Sequence, residues 1–126
     1  MNNNAKVMII DDDEFILDMY SMKLSNAGFE VKSFASATDA LNALEKGFLP
    51  DVMLIDILMP QMDGIVFLEE LSKRNLDRTT KKIMLTNQSE ADHIKKAKEL
   101  GVDKYVVKAN TIPSEVVAIV KEVINK

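Results

Sequence analysis

Val52-Met53-Leu54-Ile55-Asp56-Ile57-Leu58-Met59-Pro60-Gln61-Met62-Asp63-Gly64 is the stretch whose reading decides the fold. Four apolar residues make a run of buried-strand length that ends on a carboxylate, and a Pro and an Asp-Gly pair then break the chain. In parallel α/β sheets ligands and chemistry collect at the carboxyl ends of the strands, which makes Asp56 a candidate for function. Taken alone, Asp56 is equally consistent with an acid that merely ends a strand or caps a turn.

The flanking sequence repeats the theme. Val7-Met8-Ile9-Ile10 is a second wholly apolar run and stops at Asp11-Asp12-Asp13, which reads as a strand buried on both faces with acids at its end. Ile83-Met84-Leu85-Thr86 and Tyr105-Val106-Val107-Lys108 read the same way, and Phe29 to Phe34 supplies a further strand. Between them lie helical periodicities. Ile16, Met19, Tyr20, Leu24 and Ala27 mark a helix from Glu14 that Gly28 stops, and Ala37, Ala40, Leu41 and Leu44 mark one that starts at a Ser36/Asp39 capping pattern and closes at Gly47. Leu68 and Leu71 mark a helix over 65–73, Ala91, Ile94 and Ala97 one over 90–100, and Val116, Val117, Val120 and Ile124 one that begins near Pro113. Arg74 to Lys81 has no apolar period and is expected to be a surface loop. Five strands alternating with five helices imply right-handed crossovers onto a parallel sheet covered on both faces, a doubly wound α/β fold.

Composition bounds the function. The 126 residues fit a single domain over 1–126, with residues 1–5 expected to be flexible. The chain is 47% hydrophobic and 29% charged with a net charge of −4, a globular composition that argues against a broad nucleic-acid surface. The absence of Cys excludes disulfides, thiolate metal sites and Cys nucleophiles. No apolar run has signal-peptide or bilayer length, so the expectation is a cytoplasmic protein without membrane insertion.

A parallel sheet brings the residues just past each strand to one rim, where Asp11, Asp12, Asp13, Asp56, Thr86 and Lys108 converge. Clustered carboxylates repel one another unless a cation sits among them, and an all-oxygen set suits Mg²⁺. One remaining acid is then free to act as a nucleophile toward a phosphoryl group, with Mg²⁺ and a Lys ammonium neutralising charge and a Thr hydroxyl donating to an oxygen.

These residues resemble, over the whole chain, the receiver domain of two-component response regulators, the single-domain chemotaxis regulators among them. The matching motifs are Asp11-Asp12, the run Asp56-x-x-Met59-Pro60-x-Met62-Asp63-Gly64, Thr86, and Lys108 three residues after Tyr105. The resemblance implies a flavodoxin-like sheet of order 2-1-3-4-5 and a phosphorelay signalling domain that catalyses only its own phosphorylation and dephosphorylation. It implies that Asp56 accepts the phosphoryl group, that Asp12 binds Mg²⁺ directly with Asp11 assisting, and that the Leu58 backbone carbonyl completes the protein ligands. Lys108 would pair with the phosphoryl group, while Thr86 and Tyr105 would act as the switch that alters the face made by the fourth helix, fifth strand and fifth helix. The partners implied are a histidine kinase or histidine phosphotransfer protein upstream and a protein target downstream, with no direct contact to nucleic acid. With nothing after the last helix, the chain is expected to carry no output domain of its own.

Departures from the family pattern set the alternatives. Ala109 stands where the family commonly has Pro after a cis bond, so this loop either relaxes to trans or is held strained. Asn87 is larger than the small residue often found after the Thr, and Leu58 and Gln88 occupy positions tied to the lifetime of the acyl phosphate. These departures sustain a pseudo-receiver, a protein-binding module without phosphoryl turnover, as the alternative. An aspartyl phosphohydrolase would usually carry a second acid at position 58, and a flavin protein would need a phosphate-cradling loop at 11–13. Simpler roles are expected elsewhere: Asp13 and Asp63 as helix caps, His93 as a surface residue, the Met residues as core filler, and Arg74, Arg78, Lys81 and Lys82 as a solvated basic loop.

Overall fold

Because successive strand residues face opposite sides of a sheet, an unbroken apolar run is stable as a strand only where both faces are covered. The computed structural model, which describes residues 5–125, has that arrangement. Its elements in chain order are β1 (Lys6–Ile10), α1 (Glu14–Asn26), β2 (Glu30–Phe34), α2 (Ala37–Glu45), β3 (Val52–Ile55), α3 (Gly64–Lys73), β4 (Lys81–Thr86), α4 (Ala91–Glu99), β5 (Lys104–Val107), a short 3-10 turn (Lys108–Asn110) and α5 (Pro113–Ile124). The five strands are parallel in the order β2-β1-β3-β4-β5, as the resemblance implied.

Each central strand feeds two cores. Val7, Ile9, Val52, Leu54, Ile83 and Leu85 pack on one face with Leu17, Tyr20 and Leu24 of α1 and Val116, Val120 and Val123 of α5. Met8, Ile10, Met53, Ile55 and Met84 pack on the other with Leu41 and Leu44 of α2, Phe67, Leu68 and Leu71 of α3, and Ala97 of α4. Met8, Met53, Met59 and Met84 are core filler, as expected, whereas Met22 is exposed and Met19 and Met62 are only half-buried. β2 lies at the edge, and Glu30, Lys32 and Ser33 are exposed there, which explains why it lacks the unbroken apolar run of its neighbours.

The caps behave as the sequence suggested. Asp13 accepts from the amides of Phe15 and Ile16, Ser36 from that of Asp39, and Asp63 from that of Val66. Gly28, past the end of α1, has φ +102°, a left-handed conformation that glycine adopts without strain.

Other expectations need correction. Leu17 and Val123 are buried though the periodicity reading passed over them, while Ile16 and Met19 are half-buried at the margin of the same cluster. In α4 only Ala97 is buried; Ala91 is exposed and Ile94 half-buried. Arg74 to Lys81 does not stay a loop to its end, because β4 begins at Lys81. Lys82 is buried rather than solvated, its ammonium 3.3 Å from Asp77. A charge inside a strand masked β4's start, and its compensating partner lies in the loop before it. Residues 1–4 of the expected flexible start lie outside the described residues, but Ala5 is buried and its carbonyl accepts from Glu30 at 3.0 Å.

The amino ends of the central strands are tied together by one residue. Asp51 accepts the Lys6 amide on its carboxylate at 2.7 Å and donates its own amide to the Lys6 carbonyl at 2.8 Å. Its carbonyl accepts from the Lys81 amide at 2.9 Å. Asp103 does the same for β4 and β5, accepting the Lys82 amide at 2.9 Å and donating to the Lys82 carbonyl at 2.8 Å. At the opposite rim the Asp11 amide donates to the Phe34 carbonyl at 3.1 Å and the Asp56 amide to the Ile10 carbonyl at 3.0 Å.

Candidate functional site

At the carboxyl rim β1 ends before Asp11, β3 before Asp56, β4 at Thr86 and β5 before Lys108. Their side chains line one open cleft of about 530 Å³, together with Asp12, Asp13, Leu58, Met59, Pro60, Asn87 and Gln88. Asp56 is held by its backbone: its amide donates to the Ile10 carbonyl of β1 at 3.0 Å. Gly64, the first residue of α3, lies so close that a Cβ there would stand 2.2 Å from the Asp56 carbonyl oxygen. That close approach is the physical reason for glycine after Asp63, and it fixes the loop 57–63 as a tight return from β3 into α3.

One carboxylate oxygen from each of Asp11, Asp12 and Asp56 lies within 4.8 Å of the others. Asp11 and Asp56 are buried and Asp12 exposed. Three hard oxygen donors at that spacing, open to water on one side, fit a divalent cation such as Mg²⁺ that keeps several waters. Asp13 is not among them, because its carboxylate is engaged at the start of α1.

Lys108 faces the same acids, its Nζ 2.5 Å from Asp11 Oδ2 and 3.5 Å from Asp56 Oδ2. Burial disfavours its ammonium, but the hydrogen bond it donates to Asp11 and the charges of Asp56 and Asp11 outweigh this and hold its pKa above the ordinary lysine value. Burial pushes the Asp11 carboxyl up, more than Lys108 and the Asp13 amide pull it down. The two directions oppose each other across one contact. Both stand, because two carboxylates offset the burial of Lys108 whereas a single ammonium and one amide do not fully offset that of Asp11.

Thr86 is fully buried, and its hydroxyl oxygen accepts from the amides of Ile57, at 3.4 Å, and Gln88, at 3.3 Å. Tyr105 is half-buried and its phenol donates to the Gln88 carbonyl. Burial raises the phenol's pKa, with Glu90 and Asp56 adding to the effect. The Leu58 side chain is 65% exposed at the cleft mouth. Among the described residues there is no cis peptide bond, so Lys108–Ala109 is trans and leads into the 3-10 turn. His93 is half-exposed, 3.1 Å from Glu90 and outside the cleft.

Two features of the rim escaped the sequence reading. The Ile57 amide is turned toward Thr86, and the Ala109 amide donates to Asn87 Oδ1 at 2.9 Å. Ala109 was recognised only as a missing Pro; the N–H that the substitution restores was the available signal.

The model of the response regulator receiver domain matches residues 7–121. The chain belongs to this family. Among solved structures, the receiver domain resembles a CheY-like receiver domain protein from Methanospirillum hungatei JF-1, at 31% identity and a TM-score of 0.89 over 97% of this chain and 94% of that one. Vibrio cholerae chemotaxis protein CheY4 is 29% identical, with a TM-score of 0.87 over 95% and 98% of the two chains. Curated relatives include regulatory protein VanRc of Enterococcus gallinarum, 33% identical over 118 residues, and the phosphate regulon transcriptional regulatory protein PhoB of Escherichia coli K12, 28% identical over 121. Those alignments cover 94% and 96% of the receiver domain but 49% and 52% of the relatives, so the chain spans about half their length. Receiver domains are signalling domains of two-component systems. No helix of the described residues is long and apolar enough to cross a membrane.

Proposed function

We propose that Asp56 is the phosphoacceptor of this receiver domain and that Asp11, Asp12, Thr86, Lys108 and Tyr105 serve its phosphorylation and readout. The observation that carries this reading is the convergence of three carboxylates, within 4.8 Å of one another, on an ammonium 3.5 Å from Asp56. A Mg²⁺ held by Asp11, Asp12 and Asp56, with the Leu58 carbonyl as a further ligand, would neutralise charge on the phosphoryl oxygens. An Asp56 carboxylate oxygen attacks phosphorus, the bond from phosphorus to the donor breaks, and an acyl phosphate forms; water later reverses this, releasing phosphate and restoring the carboxylate. Lys108 exchanges part of its contact with Asp11 for a phosphoryl oxygen. Thr86 donates its hydroxyl hydrogen to another, and the Ile57 amide stands beside it as a second donor.

Phosphorylation then favours the state that makes those contacts. Tyr105 is tied to the loop after Thr86 through Gln88, so a shift of Thr86 reaches the face formed by α4, β5 and α5. The phosphodonor is a histidine kinase or phosphotransfer protein, and the output is docking of a protein target to that face.

Incubation with Mg²⁺ and acetyl phosphate, followed by intact-mass measurement, tests the assignment. A single phosphoryl adduct that is absent in Asp56→Asn is the expected result. No adduct on the unaltered protein, together with no response to beryllium fluoride, overturns it.

A further inference from the structure

The loops that carry Thr86 and Lys108 to the cleft are joined directly, one residue beyond each. Ala109 N–H donates to Asn87 Oδ1 at 2.9 Å. A second tie lies on the strand side of Lys108, where the Tyr105 phenol donates to the Gln88 carbonyl. Lys108 is therefore bracketed by two bonds to the same loop, one before it in the chain and one after. The turn that follows is closed from its far end as well, since the Thr111 hydroxyl donates to the Val107 carbonyl at 3.0 Å and the Thr111 amide to the Lys108 carbonyl at 3.1 Å. These last two bonds close the turn on itself but do not tether it to the cleft. Val107 pairs with Thr86 in the sheet immediately before Lys108, and the Asn87 bond adds the tie immediately after it.

We propose that Asn87 is a positioning residue: its side chain, by capturing the Ala109 amide, keeps the Lys108 ammonium within reach of Asp11 and Asp56 and makes movement of the Thr86 loop move Lys108. A Pro at 109 would offer no N–H, so this strap exists only because Ala109 stands there. The long, rotamer-rich Lys108 side chain gains from a tethered backbone, because less of its freedom remains to be lost at each encounter with a phosphoryl group.

The proposal rests on Lys108 serving phosphorylation of Asp56, and the experiment separates the two. Phosphorylation by acetyl phosphate is timed in the unaltered protein, Asn87→Ala, Ala109→Pro and the double variant, and Asn87→Ala is repeated on Lys108→Met. An exposed hydrogen bond of ordinary strength predicts that Asn87→Ala slows phosphorylation about three- to tenfold. The same substitution should have no further effect once Ala109→Pro has removed the donor, and none once Lys108→Met has removed the group being positioned. In parallel, without any phosphodonor, NMR reads hydrogen exchange at the Ala109 amide and relaxation of the Lys108 ε-methylene. In Asn87→Ala both should quicken while the melting temperature changes little.

Equal slowing by Asn87→Ala on the unaltered and Lys108→Met backgrounds overturns the proposal, because Asn87 would then act by shaping the cleft. Unchanged exchange and relaxation overturn it whatever the kinetics. If no protein is phosphorylated but exchange and relaxation quicken as expected, the strap stands and the assignment of Asp56 falls.

Discussion

The Lys108 ammonium lies 2.5 Å from Asp11 and a full ångström farther from Asp56. Its nearest partner is thus a candidate metal ligand rather than the candidate acceptor, and a divalent cation entering the acid cluster competes with Lys108 for Asp11. Lys108→Met should tighten Mg²⁺ binding by at least about tenfold, the equivalent of one charge-assisted hydrogen bond no longer opposing it. The same variant should accept phosphate from acetyl phosphate more slowly. An NMR titration with MgCl₂ measures the first effect; weaker binding would show that Lys108 helps assemble the acids instead of competing for one of them.

Asp11 carries a pH dependence of unusual sign. Burial raises its folded-state pKa above the ordinary aspartate value of 3.8, so the folded protein holds this proton more tightly than the unfolded chain does. Stability from this group is present at acid pH and is lost as pH rises through the folded value, the reverse of a carboxylate whose pKa is depressed. Without Mg²⁺, Asp11→Asn should therefore raise the melting temperature at pH 7, and the gain should shrink as pH falls toward 4. If the acid cluster holds Mg²⁺ as proposed, saturating Mg²⁺ should reverse the ranking, because the protein with all three carboxylates binds it more tightly than Asp11→Asn does. Thermal melts across pH with and without MgCl₂ decide the matter.

Gly64→Ala tests how tightly the candidate acceptor Asp56 is tied to the fold. The added methyl would stand 2.2 Å from the Asp56 carbonyl oxygen, and backbone cannot swing aside as a side chain can. A helix propensity gain of about 1 kcal/mol opposes an overpacking cost of up to about 3 kcal/mol, so the net expectation is destabilisation by about 1–2 kcal/mol in urea. Phosphorylation should slow as well, through displacement of Asp56.

Leu58 sits at the cleft mouth and is 65% exposed. If Asp56 carries the acyl phosphate as proposed, an apolar side chain there offers no hydrogen bond to an approaching water, and hydrolysis is expected to be slow. Leu58→Asn should shorten the phosphoryl half-life several-fold with little effect on stability, on the scale of one added hydrogen bond to the attacking water. Decay followed by phosphate release after removal of the donor gives the answer, and an unchanged half-life would remove Leu58 from any role in hydrolysis.

The sheet was legible because both of its faces are covered: Val7 to Ile10 and Val52 to Ile55 carry no polar residue to blur the run, and the terminal acid marks where each strand stops. The capping residues Asp13, Ser36 and Asp63 were legible for a local reason, since a cap acts within three residues of itself. Legibility failed where partners are distant in sequence. Lys82 reads as solvent-facing until Asp77 is placed beside it, and Leu17 is distinguished from Ile16 only by where the sheet lies. In the site, residue types and their placement at strand ends brought Asp11, Asp12, Asp56, Thr86 and Lys108 together on paper. The Asn87–Ala109 bond was not visible, because it depends on the relative height of two loops above the sheet, and no periodicity encodes that distance.

Asp51 and Asp103 leave the two ends of the sheet joined by different means. They join β1, β3 and β4 at one end, and β4 to β5, by bonds that involve no group of the cleft, whereas the cleft end is joined in part through the candidate site itself, by the Ile57 amide to Thr86 and by Lys108 to Asp11 and Asp56. The groups that answer a change of charge at Asp56 are thus also groups that join neighbouring strand ends, and Thr86, Asn87 and Lys108 line the same cleft.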